Sequence, residues 1–190
     1  MKKICFASVS LLALSGALFL VGCGNDNPGE IECTPSVNQS KPVVETFEND
    51  TISVTLDTNK YAVETNKEFY KPSLRIIKSD EKHNEEYISV QQLKNENEKI
   101  TLSDDEPYTN EKLKSEFQDY ISDLTGFTPV EEERIGDKTL YKTTTAVNAV
   151  ESNIYRTLTD GKNVYKIIVS GPNFKDTEEA KKLLEDIKLK

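Results

Sequence analysis

Side chains able to carry proton or group transfer are scarce in this chain. His83 is its one histidine, set among Asp80, Glu81, Lys82, Glu85 and Glu86 in a run so charged that it reads as a solvated loop. A Ser-His-Asp arrangement needs an imidazole held within hydrogen-bond reach of its nucleophile, and a loop of that kind does not hold one. Paired histidines, Cys-x-x-Cys, a Gly-rich phosphate loop and EF-hand spacing are all missing from the sequence. No catalytic residue, metal ligand or cofactor-binding residue is therefore assigned, and no cofactor is implied. Acids are abundant, so hydrolysis by paired carboxylates stays open, because sequence alone gives no separation between carboxyl groups. Asp104-Asp105-Glu106 and Glu131-Glu132-Glu133 could offer oxygen ligands to Ca2+. On a strand, however, Glu132 faces away from Glu131 and Glu133, and solvated charge is the simpler account. Tyr141, Tyr155 and Tyr165 fall on neighbouring predicted strands. They are a candidate binding surface for carbohydrate or peptide, with core packing as the competing account.

Three cysteines remain to be placed. Met1-Lys2-Lys3 is basic, Ile4 to Val21 is almost wholly apolar, and the run stops at Leu20-Val21-Gly22-Cys23, followed by Gly24-Asn25-Asp26-Asn27. About 18 apolar residues can just span a bilayer, but Ser8, Ser10, Ser15 and Gly16 weaken that account. The basic start, apolar middle and small residue before the cut are those of an export signal. Leu20-Val21-Gly22-Cys23 resembles the lipobox of bacterial lipoproteins. That resemblance implies diacylglycerol on the Cys23 thiol, cleavage before Cys23, and a domain held outside the cytoplasmic membrane by its acyl chains. Two or three chains anchor stably where one is marginal. Cys5 would leave with the signal, and Cys33 would be the remaining thiol of the mature chain, either idle or used in an intermolecular disulfide.

Cleavage removes two of the 24 basic residues against 33 acidic ones, so the net charge moves from −9 to −11 over the 168 residues left. Such a chain repels polyanions, which excludes nucleic acid as a direct partner. The expected organisation is a signal peptide over 1–22, a lipidated cysteine and flexible tether over 23–46, and one globular domain over 47–190. The tether is rich in Asn, Asp, Pro, Ser and Gln, and would span roughly 25 to 30 Å.

Within the domain, Ile52, Val54 and Leu56 alternate on one strand face, Asp57-Thr58-Asn59 turns, and Tyr61 to Thr65 returns as a second strand. Leu74 to Ile77 and Tyr87 to Leu93 follow, with Lys99 to Leu102 as a further candidate strand. Thr109 or Asn110 caps a helix with an apolar stripe of Leu113, Phe117, Tyr120, Ile121 and Leu124, closed by Gly126. Strands return around Gly136-Asp137. Asn153 to Thr159 and Asn163 to Ser170 flank Asp160-Gly161, where a two-residue type I′ loop would oppose Ile154 to Ile167 and Arg156 to Tyr165. The run Ile167-Ile168-Val169 is apolar on both faces, which calls for cover above and below. Asp176 with Glu179 forms a capping pattern for a last helix carrying Ala180, Leu183, Leu184 and Ile187. The fold class is α+β, a mostly antiparallel sheet with helices packed on both faces.

From about Phe47 to Lys190 this order of elements, with its late Asp-Gly hairpin and final helix, looks like the PsbP/Mog1-like α/β/α sandwich of small bacterial lipoproteins. Members often carry a Pro and a Trp near the first hairpin, where this chain has Asp57-Thr58-Asn59-Lys60-Tyr61. The resemblance implies a binding or assembly factor and carries over no site residue. The expected function is a non-catalytic binding module in the bacterial cell envelope. It would be held to the lipid membrane through Cys23, with an envelope protein or polysaccharide as partner. The alternative is a cell-envelope or carbohydrate hydrolase using two carboxylates. A solute receptor would need two lobes, for which this length is short.

Overall fold

Ile52, Val54 and Leu56 are all buried, as their alternation requires, and they form the inner face of a small sheet. The computed structural model of the chain describes residues 42–66, 73–79, 86–94, 100–103 and 105–190. The signal segment, Cys23, Cys33, the tether up to residue 41, His83 and Asp104 lie outside the described residues. Strand β1 (Val44–Glu48) pairs antiparallel with β2 (Ile52–Asp57). It takes up Val44, Glu45 and Thr46, which the sequence reading assigns to the tether. Asn49 makes the hairpin: its side-chain carbonyl accepts from the backbone N–H groups of Thr51 (3.0 Å) and Ile52 (2.9 Å).

After β2 come β3 (Tyr61–Asn66), β4 (Ser73–Lys78), β5 (Tyr87–Leu93), helix α1 (Asn110–Thr125), β6 (Glu131–Ile135), β7 (Lys138–Val147), β8 (Val150–Thr159), β9 (Asn163–Ser170), helix α2 (Glu178–Asp186) and β10 (Lys188–Leu189). They form a three-stranded sheet ordered β1-β2-β10 and a seven-stranded sheet ordered β3-β4-β5-β9-β8-β7-β6. Every pairing among the described residues is antiparallel. The protein is thus α+β, mostly antiparallel, with two helices among the described residues. None of these helices is long and apolar enough to cross a membrane.

Four local expectations need correction. Tyr61 to Thr65 is a strand but does not return on β2. Both edges of β2 are filled by β1 and β10, so the turn after Asp57 carries the chain into the other sheet. Of the candidate strand Lys99 to Leu102, Lys99 lies outside the described residues and Ile100 to Leu102 form no strand; Ile100 instead buries its side chain in the core without ladder pairing. Leu124 leaves the apolar stripe and is 62% exposed in the last turn of α1, while Leu113, Phe117 and Ile121 are fully buried. The β8–β9 hairpin is offset by one residue. Thr159 opposes Asn163, Arg156 opposes Lys166, and Ile154 opposes Ile168. Asp160 and Gly161 both have positive φ, and Lys162 N–H bonds to Thr159 C=O as a type I′ turn demands. Lys162 is nevertheless an extra residue in the connection, and a one-residue offset changes every cross-strand neighbour.

Both helices are capped by threonine. Thr109 Oγ1 accepts from Lys112 N–H, and Thr177 Oγ1 accepts from Ala180 N–H. Thr177 therefore takes the capping role that the sequence pattern gives to Asp176. Apolar side chains gather into two clusters. One joins Ala180, Leu183 and Leu184 of α2 to Leu140, Tyr155, Tyr165, Ile167 and the inner face of β2. The other joins Leu113, Phe117 and Ile121 of α1 to Leu93, Tyr141, Ile154 and Val164.

Candidate functional site

Two polar networks stand out against this apolar interior. The first lines a pocket of about 510 Å³ formed by Asn59, Lys60, Lys78, Ser79, Glu86, Asn173 and Glu179. Five segments supply it: the turn after β2, the end of β4, the residue before β5, the turn between β9 and α2, and the first turn of α2. Lys78 Nζ lies 2.9 Å from Glu179 and 3.4 Å from Glu86, and 4.9 Å above the Phe174 ring. Tyr61 Oη donates to Glu179 Oε1 at 2.5 Å. Glu86 is buried against Gly171, whose φ of +110° leaves its backbone close to the glutamate; a Cβ there would stand 2.8 Å from Glu86 Cγ.

Charge pairing decides what this pocket can do. Burial alone would lower the pKa of Lys78, but Glu179 and Glu86 outweigh it and hold the ammonium charged. Burial would raise Glu179, and the hydrogen bonds from Tyr61 and Lys78 overcome it and hold the carboxylate ionised. Burial and the neighbouring Glu179 push the Tyr61 phenol far up. All three move away from neutrality, the opposite of what a general acid or base requires.

The second network surrounds Asn153, a fully buried polar side chain on β8. Its Nδ2 donates to Asp176 Oδ1 (2.8 Å) and to the Lys175 carbonyl (3.1 Å), and its Oδ1 accepts from Thr144 Oγ1 (2.8 Å). Lys175 pairs with Asp176 and with Glu151 (3.2 Å), and Lys142 reaches Asp176 at 3.3 Å. The hydrogen bond from Lys175, then that from Asn153, holds the Asp176 carboxyl well below the usual carboxylate range. The Asp176 bond also raises Lys175, while burial and the Glu133 charge push Tyr155 up. This network ties the segment before α2 to β7 and β8. It is a structural lock with every charge answered.

The candidate tyrosines do not share a surface. Tyr141 is 4% exposed, Tyr155 2% and Tyr165 0%. Tyr141 belongs to the α1 cluster and the other two to the α2 cluster. Their rings fill the core, and Tyr165 Oη reaches the carbonyls of Thr51 and Lys190. Glu131 and Glu132 are exposed, and Glu133 turns partly inward with Lys142 Nζ 3.9 Å away. Strand alternation pairs Glu131 with Lys142, Glu132 with Tyr141 and Glu133 with Leu140. Among the described residues no three His, Cys, Asp or Glu side chains converge as a metal site. Sequence reasoning missed the pocket around Lys78, whose members come from positions 59 to 179 with no spacing to betray them. It also missed Arg156, fully buried, with its guanidinium 4.6 Å from the rings of both Phe117 and Tyr120.

No family model matches the chain, and no curated protein matches it. Among solved structures, the chain is similar to the solution structure of cyanobacterial PsbP (CyanoP) from Synechocystis sp. PCC 6803. The two share 12% identity at a TM-score of 0.46, over 80% of this chain and 96% of that one.

Proposed function

We propose that the protein is a lipid-anchored, extracytoplasmic binding or assembly module of a bacterial cell envelope, without catalysis of its own. Leu20-Val21-Gly22-Cys23 at the end of an apolar run supports the anchor, with Cys23 carrying the acyl chains and residues 24–41 the tether. The domain is read as a PsbP/Mog1-like sandwich. Leu140 and Tyr141 are successive residues of β7 and so point to opposite faces. Each joins a different helix in its cluster, which supports α1 and α2 on opposite sides of the sheet. The observation that carries the non-catalytic reading is the state of the pocket at Lys78: Lys78 is held charged by Glu179 and Glu86, Glu179 is held ionised by Tyr61 and Lys78, and burial together with Glu179 pushes the adjoining Tyr61 up, so all three move away from neutral pH.

One observation favours the alternative, a hydrolase with two carboxylates: Glu86 and Glu179 converge in one pocket. Lys78 pairs with both, 3.4 Å from Glu86 and 2.9 Å from Glu179, so neither carboxylate is free of a fixed cation. A glycosidase acid also needs a raised pKa, and Glu179 is lowered. Two experiments test the proposal. Cys23→Ser is expected to move the protein from the membrane to the soluble fraction or to leave it as unprocessed precursor; fatty-acid labelling that persists in the mutant refutes the anchor. Incubation of the purified protein with cell-wall and polysaccharide substrates is expected to show no turnover. Turnover abolished by Glu86→Gln or Glu179→Gln establishes the hydrolase instead.

A further inference from the structure

The pocket around Lys78 is polar throughout. Its lining side chains are two amides, a hydroxyl, two ammonium groups and two carboxylates, while the neighbouring rings of Phe174 and Tyr61 are buried away from it. Its charges also cancel: Lys60 and Lys78 stand against Glu86 and Glu179. Stability alone does not call for such a group. Replacing a buried ion pair by well-packed apolar residues is often neutral or stabilising, so the fold would be served as well by a leucine or methionine at these positions. Glu86 is nevertheless kept in the interior, against a glycine whose backbone leaves room for it where a Cβ would collide.

The polar groups are held in place before any ligand arrives. Lys60 N–H bonds to Asp57 C=O at 3.0 Å, and Ser79 N–H bonds to Lys60 C=O at 2.9 Å. Phe174 N–H and Lys175 N–H both bond to Gly171 C=O, which fixes the turn carrying Asn173. Tyr61 and Lys78 together hold the Glu179 carboxylate. Lys60, Ser79 and Asn173 are exposed and able to donate, and the two carboxylates supply acceptors. Little ordering therefore remains to be done on binding.

We propose that this pocket is the ligand site of the binding module and that it takes a neutral saccharide. A hydroxyl both donates and accepts, so one sugar ring can donate to a carboxylate and accept from an ammonium or an amide. It thereby reproduces the hydrogen bonds of the water it displaces. Lipid chains and apolar peptide side chains would strip that water and return no hydrogen bond to an all-polar lining. A ligand with net charge meets as much repulsion as attraction, because the charges of the pocket sum to zero. The ammonium of a zwitterion finds both carboxylates already paired with Lys78. The volume of about 510 Å³ lies within the roughly 300 to 1,000 Å³ of small-molecule sites. This inference rests on the binding-module reading and gives it a site and a ligand chemistry.

The test titrates the full-length protein, followed by its amide resonances, with neutral trisaccharides of glucose and of N-acetylglucosamine, with the trisaccharide of galacturonate, and with glycine betaine. At least one neutral trisaccharide is expected to shift Asn59, Lys60, Ser79 and Asn173, with an affinity that does not change from low to high salt. Neither the galacturonate trisaccharide nor betaine should bind. Asn173→Ala combined with Lys60→Met, both at exposed positions, should weaken neutral binding at least about tenfold without moving the thermal midpoint. Glu179→Gln leaves the pocket one positive charge in excess and should admit the galacturonate trisaccharide, a change of ligand that a merely structural Glu179 would not produce. Binding of no neutral trisaccharide, tighter binding of galacturonate or betaine to the unaltered pocket, an unchanged preference in Glu179→Gln, or shifts confined elsewhere would overturn the proposal and leave the binding module standing. Hydrolysis of a bound trisaccharide would instead overturn the non-catalytic reading while keeping the saccharide as ligand.

Discussion

Lys78 holds two carboxylates of unequal exposure, and the inequality sets what its loss would do. The Glu179 side chain is 41% exposed and can rehydrate, whereas that of Glu86 is 9% exposed and cannot. Lys78→Met keeps the stem over Phe174 but leaves Glu86 buried without its cation. The expected loss is about 1 to 3 kcal/mol in urea unfolding. Adding Glu86→Gln should restore part of it, since the double change removes the orphaned charge; no recovery would mean that the two side chains are uncoupled. Asp176 gives a pH signature. Unfolded, its carboxyl titrates at the ordinary 3.8; folded, Lys175 and Asn153 hold it lower. Its contribution is therefore complete above the unfolded value and is lost as pH falls from there toward the folded one, because the unfolded chain takes up the proton first. Asp176→Asn should lower stability at neutral pH and flatten the acid limb of the stability profile. An unchanged acid limb would show that the network around Asn153 is not closed in solution.

Elements carry the larger energies. Leu184 of α2 is 1% exposed within the main cluster, so Leu184→Ala should cost about 2 to 5 kcal/mol by thermal or urea unfolding. A loss under half a kcal/mol would mean that α2 does not seal the core. Much of this layer was legible in the sequence. The period-two alternation of Ile52, Val54 and Leu56, the stripe of Leu113, Phe117 and Ile121, and the Asp160-Gly161 turn all announce their elements through local chemistry. Pairing partners were less legible. A turn at Asp57 signals reversal but not that β10, the last strand, has already claimed the edge of β2. Strand β1 hides because four of its five residues are exposed and show no apolar period. Lys162 slips into the β8–β9 connection because turn type constrains only the residues inside it. The candidate site was the least legible part: Tyr61, Lys78, Glu86 and Glu179 meet only through folding, and the tyrosines that alternation placed on strands proved to be core.

At the scale of the whole molecule, the small sheet defines where the domain begins. A chain starting at Pro42 keeps β1 and should unfold in one cooperative transition. A chain starting at Asn49 loses the half-buried Phe47 and bares the edge of β2, for an expected deficit of about 1 to 2 kcal/mol. Equal stability of the two would return β1 to the tether. The C-terminal residue helps hold the same corner: Lys190 N–H bonds to Thr51 C=O at 2.8 Å, and its Nζ reaches Glu48 at 3.2 Å.

That corner also has a mechanical meaning. If Cys23 is anchored in a bilayer as proposed, a pull between the membrane and a captured partner would enter the domain at Val44 and load the ladder from Val44–Asp57 to Glu48–Ser53 first. Those five residues bury little besides part of Phe47, so under tension they peel before the seven-stranded sheet is strained. Each freed residue lengthens the leash by about 3.4 Å, roughly 17 Å in all. The β1–β2 hairpin would then act as a fuse that yields to force and re-forms when it relaxes, while the seven-stranded sheet stays whole.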